Sequence, residues 1–282
     1  MKKFYSPLRY PGGKAKVIDF MKEVITSNDF GSKPIYIEPY AGGAAVALGL
    51  LIDGYVSRVY INDFDPAIFS FWKTIKTENT RFIRKIKRID ITVDEWFKQR
   101  EIYKKSNIGF ELAFATFFLN RCNVSGVIKG GCIGGIEQKG KYKIDCRFNK
   151  EKLIEKIELI GSVADKISLY GKDTIKFLNK EKIKKILNNS LLYLDPPYYE
   201  KGYQLYKNFY TYNDHLEISK LICNMKTKWI VSYDNVPEIR NLYKNFYSKK
   251  FKLSYSAGNV KEGNEIMFFS KKIKNIPKMI VN

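Results

Sequence analysis

The residues best suited to chemistry in this 282-residue chain are Asp195-Pro196-Pro197-Tyr198, which follow the apolar run Leu191-Leu192-Tyr193-Leu194. The run has the character of a buried parallel strand, so a carboxylate, two prolines and a ring sit where that strand emerges from its sheet. Each proline fixes φ and removes a backbone donor, which leaves the carbonyls of Asp195 and Pro196 free to accept hydrogen bonds from outside the ladder. Rigid acceptors beside an aromatic face suit a planar amino group, such as the exocyclic amine of a base. The same tetrapeptide also reads as a plain loop opening with a ring packed over it, and the other stretches have to decide.

Two of them build a nucleoside pocket. Pro34 to Val46 reads as a strand, a small-residue turn (Glu38-Pro39-Tyr40-Ala41-Gly42-Gly43-Ala44) and the start of a helix, the opening of an α/β nucleotide-binding unit. Arg58 to Asp63 is a second strand ending in an acid about twenty positions on, placed to accept from both ribose hydroxyls. No phosphate-cradling Lys-Ser/Thr follows the turn, so a nucleoside without phosphates fits better than a nucleotide triphosphate. Upstream, Tyr10-Pro11-Gly12-Gly13-Lys14 is a tight basic turn before a helix carrying Val17, Ile18, Met21, Val24 and Ile25 at helical spacing.

The elements that hold these motifs alternate as an α/β pattern. Strands are predicted at Ile167 to Gly171, with Asp173 just beyond, at Leu191 to Leu194 and at Trp229 to Asp234, with a closing pair at Phe251 to Ser256 and Glu265 to Ser270 around a loop from Gly258 to Gly263. Between Phe71 and Ile160 the pattern becomes helical, at Thr92 to Lys105 and Phe110 to Asn120. A Gly-rich stretch, Val127 to Ile144, follows, and its alternation predicts a mobile lysine-bearing hairpin. Tyr198 to Tyr212 reads as an exposed aromatic loop.

The chain carries 50 Lys+Arg against 29 Asp+Glu, a net charge of +21, which points to a polyanionic partner. Residues 71–160 hold 20 Lys+Arg and 11 Asp+Glu, the denser share, so this insertion reads as a nucleic-acid arm. The longest apolar run, Gly42 to Ile52, is too short to span a bilayer and the N-terminus lacks a signal-peptide core, so no membrane association and a cytoplasmic location are expected. Cys122, Cys132, Cys146 and Cys223 lack paired spacing and His215 is the sole histidine, so no metal site is expected and His215 reads as a loop or helix-start residue.

Together these motifs resemble the Dam-like (D12 class, alpha group) site-specific DNA adenine N6-methyltransferases over nearly the whole chain. The resemblance implies a Rossmann-like S-adenosylmethionine-dependent methyltransferase sheet, formed by residues 1–70 and 161–282. It also implies an inserted helical/hairpin DNA-recognition domain over 71–160. It carries over a cofactor set for S-adenosyl-L-methionine of Tyr10, Lys14, Glu38, Pro39, Tyr40, Gly42, Asp63 and Asp173, and a catalytic set of Asp195, Pro196, Pro197 and Tyr198. Leu119 to Gly126 resembles the start of the family's recognition hairpin, which gives a DNA-contacting set of Asn120, Arg121, Asn123, Ser125, Lys129, Lys139, Lys141, Lys143 and Arg147. Ser232-Tyr233-Asp234-Asn235 resembles a later strand end of the family. Ala44 departs from the usual last glycine of the cofactor turn, and the hairpin departs enough that the target sequence does not transfer.

The implied reaction is methylation of a flipped adenine in double-stranded DNA, by a restriction-modification or solitary methylase that is a monomer or weak dimer. A methyltransferase acting on RNA or on a protein amide, and a non-catalytic DNA-binding relic of the fold, are the alternatives.

Overall fold

The computed structural model describes residues 5–9, 17–200, 210–255 and 261–278. Tyr10 and Lys14 of the expected cofactor set, and the loop from Gly258 to Val260, lie outside the described residues.

The chain runs α1 (Val17–Ser27), β1 (Ile35–Glu38), α2 (Ala45–Ile52), β2 (Arg58–Asn62), α3 (Pro66–Thr77), α4 (Asn79–Arg88), α5 (Val93–Lys105), α6 (Phe110–Cys122) and α7 (Lys150–Ser162). It continues through β3 (Ile167–Tyr170), α8 (Thr174–Leu178), α9 (Glu181–Ile186), β4 (Ser190–Leu194), α10 (Tyr212–Cys223), β5 (Lys228–Asp234), α11 (Pro237–Leu242), β6 (Tyr247–Tyr255) and β7 (Lys261–Phe269). The strands form one seven-stranded sheet in the order β3-β2-β1-β4-β5-β7-β6. Five strands are parallel, and β7 lies antiparallel between β5 and β6. This is the α/β architecture expected, and it is Rossmann-like.

The strand order fixes where a ligand can sit. The chain builds outward from β1 to β3, then returns to lay β4 on the free side of β1. Connections on either side of that pair leave in opposite directions, which opens a crevice at the carboxyl ends of β1 and β4. The Glu38 turn and Asp195 follow those two strands.

Each central strand is apolar on both faces, as a covered parallel sheet requires. Tyr36, Val59, Ile61, Leu191, Tyr193 and Ile230 pack with α1, α2 and the insertion helices. Ile37, Tyr60, Leu192, Leu194, Trp229 and Val231 pack with α8 to α11. Phe71, Phe82, Phe114 and Phe117 of the insertion belong to the first of these cores, so residues 71–160 are rooted on the sheet's own core. The helical part begins at Pro66, with Asp65 as its N-cap, a few residues before the expected boundary.

The lysine-bearing stretch differs from the expected hairpin. Among residues 127–149 no strand forms, and the sole ladder pairing is a bridge between Asn123 and Cys132. Gly134 and Gly135 take φ of 87° and 74° and Gln138 takes 52°, so the chain curls on itself before a second strand can pair. The Gln138 side chain plugs the coil by donating to the Ile133 carbonyl at 2.9 Å and accepting from the Ile144 amide at 2.8 Å. Alternation with glycine mimicked strand patterning, but positive-φ residues dictated turns.

Candidate active site

Register places the catalytic candidates. Tyr193 pairs with Ile230 and Leu194 with Val231, so Asp195 emerges opposite Ser232. The Ser232 hydroxyl donates to Asp195 Oδ1 at 2.7 Å and lies 2.8 Å from the Tyr193 hydroxyl. Both Ser232 and Tyr193 are fully buried. One oxygen of Asp195 is thereby oriented from beneath, on a side chain that is itself half-exposed. Two residues further along β5, Asp234 accepts from the amides of Tyr199 and Glu200, at 2.9 Å each. The turn that begins at Asp195 is thus clamped at its start by Ser232 and at its end by Asp234. Pro196 is buried and Pro197 half-buried within it.

Tyr198 differs from the expected exposed ring: it is 7% exposed, and its hydroxyl donates to the buried Glu265 of β7. The ring therefore lies against the sheet beside Asp195.

Beside this turn, the cofactor candidates occupy neighbouring strand ends. Asp63, just past β2, accepts from the Gly42 amide at 2.8 Å and the Asp65 amide at 2.9 Å. Trp72 holds the other side of the same peptide region by donating to the Gly42 carbonyl at 2.8 Å. Asn62, fully buried, donates to the carbonyls of Pro39 and Lys172 at 3.0 and 2.9 Å and accepts from the Lys172 amide at 2.9 Å. One amide therefore ties the turn after β1 to the loop after β3 that carries Asp173. Asp173 is half-exposed and N-caps α8 through the Lys176 amide at 3.1 Å. Glu38 is buried with Oε2 on the Ala47 amide at 3.2 Å, so it shapes the start of α2. Tyr40 is half-buried, with its hydroxyl 2.9 Å from that of Tyr210. Ala44 adopts φ 46°, ψ 29°, the left-handed conformation that explains why glycine would suit this position.

The donor set fits a nucleoside cofactor. Asp63 and Asp173 stand as acceptors at the adjacent ends of β2 and β3, and the turn of small residues after β1, which carries Tyr40, lies on the other side of Asp63. Asp63 has two backbone donors, fewer than a carboxylate can accept. Burial pushes its pKa up to about 7, against the lowering effect of the Asp65 and Gly42 amides.

That shift sets a pH dependence. If Asp63 takes the ribose hydroxyls of a nucleoside cofactor, they would donate to its ionised form, so cofactor affinity is expected to rise from pH 6 to pH 8 and to be flat across that range in Asp63→Asn, as isothermal calorimetry would show. For stability the sign is opposite. A folded-state pKa raised above the unfolded value gives a contribution that is full below about pH 4 and lost as pH rises through about 7. Asp63→Ala should weaken cofactor binding by about 1.5–3 kcal/mol, through loss of a charged partner and release of the Gly42 turn. Equal affinity in the parent and Asp63→Ala would place the cofactor away from Asp63 and its turn.

The DNA-contacting candidates divide into two groups. Asn120 and Asn123 are buried at 2% and 0% exposure. The Asn120 amide group accepts from the Arg9 amide at 2.7 Å and donates to the Arg9 and Gly126 carbonyls at 2.6 and 2.9 Å. Asn123 donates to the Val127 and Ile128 carbonyls at 2.8 Å each and accepts from Trp96 Nε1 at 2.6 Å. Their side chains are consumed in shaping the arm's root, which corrects the expectation of direct DNA contact. Arg121 is half-buried, donating to the Arg147 carbonyl, and its pKa is lowered to about 10 by burial and by the nearby Arg9. Lys129, Lys139, Lys141, Lys143 and Arg147 are exposed, and Ser125 is half-exposed. Lys139 pairs with Glu137 at 2.6 Å, Lys141 sits over the Tyr142 ring, and Ile136 and Tyr142 are exposed beside them.

The arm ends where α7 begins. Helix α7 descends from Lys150, whose Nζ donates to Lys87 at the end of α4, to Ser162, which leads into the amino end of β3. The start of α7, and with it the end of the arm, therefore sits toward the carboxyl ends of the strands.

Sequence reading missed Asn62 and Glu265, whose side chains are fixed by long-range partners, and gave Tyr210 no role. The signal for Asn62 was an uncharged amide ending an apolar strand. Among the described residues no group of His, Cys, Asp and Glu could hold a metal, and no helix is long and apolar enough to cross a membrane.

Comparison with known proteins bears on the family. The Type II methyltransferase M.MjaIII of Methanocaldococcus jannaschii is 24% identical over 215 residues, 68% of each chain. A DNA adenine methylase of Vibrio cholerae is 24% identical over 211 residues, 70% of this chain and 66% of that one. Among solved structures, the rRNA methyltransferase aviRa from Streptomyces viridochromogenes aligns with a TM-score of 0.41 at 8% identity, over 93% of this chain and 86% of that one, a likeness too low to bear on substrate. The family model for D12 class N6 adenine-specific DNA methyltransferases matches residues 10–257, and the chain belongs to that family.

Proposed function

We propose that the protein transfers a methyl group from S-adenosyl-L-methionine to N6 of an adenine flipped out of a specific double-stranded DNA sequence, in a restriction-modification or solitary setting. The observation that carries this is the clamped Asp195 turn at the carboxyl end of β4, across the β1–β4 crevice from the acids Asp63 and Asp173. The names of the Methanocaldococcus and Vibrio relatives, a type II methyltransferase and a DNA adenine methylase, support it.

The adenine amine is a poor nucleophile because its lone pair is delocalised into the ring. An acceptor pair at the Asp195 carboxylate and the Pro196 carbonyl draws on its two hydrogens and localises the lone pair, a task of orientation and electrostatics. Ser232 orients Asp195 through Oδ1, on a side chain that is half-exposed at the mouth of the crevice. Tyr198, its hydroxyl held by Glu265 beside Asp195, would offer its ring face to the extruded base. Tyr10, Lys14, Tyr40, Asp63 and Asp173 would hold the cofactor, which when bound would supply an electrophilic sulfonium methyl. The arm lysines and Arg147 hold the phosphates, and residues 71–160 form the target-recognition part.

Methyl transfer from labelled cofactor, offered duplex DNA, RNA and protein in competition, tests this reading. Label in DNA supports it, and label in RNA or protein alone rejects it. The arm has its own test. Neutralising Lys139, Lys141 and Lys143 together should weaken DNA binding and lower the salt slope by about 0.9 for each phosphate that is no longer neutralised. Roughly two units are expected, because Lys139 already pairs with Glu137. A salt slope equal to the parent's would assign these lysines to solubility alone.

A further inference from the structure

One buried titratable side chain has no part in the chemistry above. His215, in the first turn of α10, is 0% exposed. Its Nδ1 lies 3.0 Å from the Tyr233 hydroxyl, and its Nε2 has no hydrogen-bond partner among the described residues. Three rings enclose it, Tyr199 at 5.5 Å, Tyr210 at 5.4 Å and Tyr233 at 5.4 Å between centroids. Burial lowers its pKa to about 4, so the imidazole is neutral at neutral pH. Filling this space needs only an aromatic hydrocarbon, whereas a buried imidazole carries a desolvation cost.

The three rings come from three parts of the site. Tyr199 directly follows the catalytic tetrapeptide, and its amide is held by Asp234. Tyr210 lies where the chain re-enters the described structure before α10, and its hydroxyl meets that of Tyr40 on the turn after β1. Tyr233 sits on β5 between Ser232, which orients Asp195, and Asp234, which holds the end of the catalytic turn. His215 is thus the shared packing point of the catalytic turn, the returning segment and the strand that anchors both.

We propose that His215 is a positioning residue of the methyl-transfer site: through its bond to Tyr233 and its contact with Tyr199 it fixes the turn that carries Asp195 and Tyr198, without touching substrate. The proposal rests on the reading of Asp195 as the acceptor for the adenine amine. A side chain that only fills space is replaceable by a ring of similar size, whereas one that positions through a hydrogen bond is not.

His215→Phe keeps the ring and deletes both nitrogens, His215→Asn restores a polar group near Nδ1, and Tyr233→Phe removes the partner while leaving the imidazole. His215→Phe is expected to lower kcat on duplex DNA by about 10–100-fold, the range seen when a supporting partner of a reacting group is lost, with cofactor and DNA Kd values within about twofold of the parent's. His215→Asn should recover much of that loss. Tyr233→Phe should match His215→Phe, and the double variant should be no worse than either single one, the non-additivity of a shared interaction. Parental kcat in His215→Phe would overturn the proposal. So would a fall in kcat, both affinities and Tm together that Asn does not relieve. Should His215→Phe fail to fold, Tyr233→Phe decides alone, parental kcat overturning the proposal and a selective kcat loss supporting it. Absence of methyl transfer to DNA by the parent protein would instead reject the underlying function.

Discussion

Asp195→Ala is expected to abolish methyl transfer, with turnover down by about a thousandfold or more, while cofactor affinity stays within about a factor of ten. The asymmetry follows from the geometry. Asp195 stands at the end of β4, with one oxygen occupied by Ser232, and the proposed cofactor acids stand at the ends of β2 and β3. On the proposed chemistry its loss removes an interaction that strengthens as the amine's lone pair localises, so the deficit would belong to the transition state. Single-turnover kinetics with calorimetry of cofactor binding separates the two quantities. Near-parental turnover would reduce the tetrapeptide to a strand-ending turn.

Gly126→Ala is expected to destabilise the fold by about 3 kcal/mol or more. Gly126 takes φ +77°, which costs an L residue about 1–2 kcal/mol, and a Cβ there would lie 2.5 Å from the Arg9 carbonyl oxygen. That carbonyl has no room to yield, since Asn120 grips Arg9 at both its amide and its carbonyl while Arg9 NH1 donates to the Asn123 carbonyl at 2.9 Å. The joint stitches the segment leading into Tyr10–Lys14 to the root of the lysine-bearing arm, so under the proposed function cofactor and DNA affinity should both fall with stability. Gly131→Ala is the control. Nothing lies within 4 Å of a Cβ built there, so denaturant titration should find it within about 0.5 kcal/mol of the parent.

The parts of this fold legible in the sequence are those governed by local rules. Apolar runs ending in carboxylates at Asp63 and Asp195 gave strands β2 and β4, and Thr92 before an amphipathic run gave the start of α5, where it caps the Glu95 amide at 3.1 Å. What stayed hidden depended on partners far along the chain. Asn120 has the composition of a DNA-reading residue, and only its bonding to Arg9, 111 positions away, shows it to be internal. His215 lacked any local signal for burial, because its cage is assembled from Tyr199, Tyr210 and Tyr233. Tyr198 read as an exposed stacking ring, yet Glu265 on the antiparallel strand β7 holds its hydroxyl. The lysine arm misled for the opposite reason, since its alternating pattern was local and real but positive-φ residues turned it into a coil.

The identity of the methylated atom is the most direct test of the proposed chemistry. Duplex DNA of random sequence, incubated with the protein and S-adenosylmethionine and digested to nucleosides, should yield N6-methyladenine by mass spectrometry, at one recurring sequence when the product is mapped. It should yield none with Asp195→Ala. Methyl groups found only on cytosine, on RNA or on protein, or N6-methyladenine formed equally by Asp195→Ala, would contradict the assignment of this site.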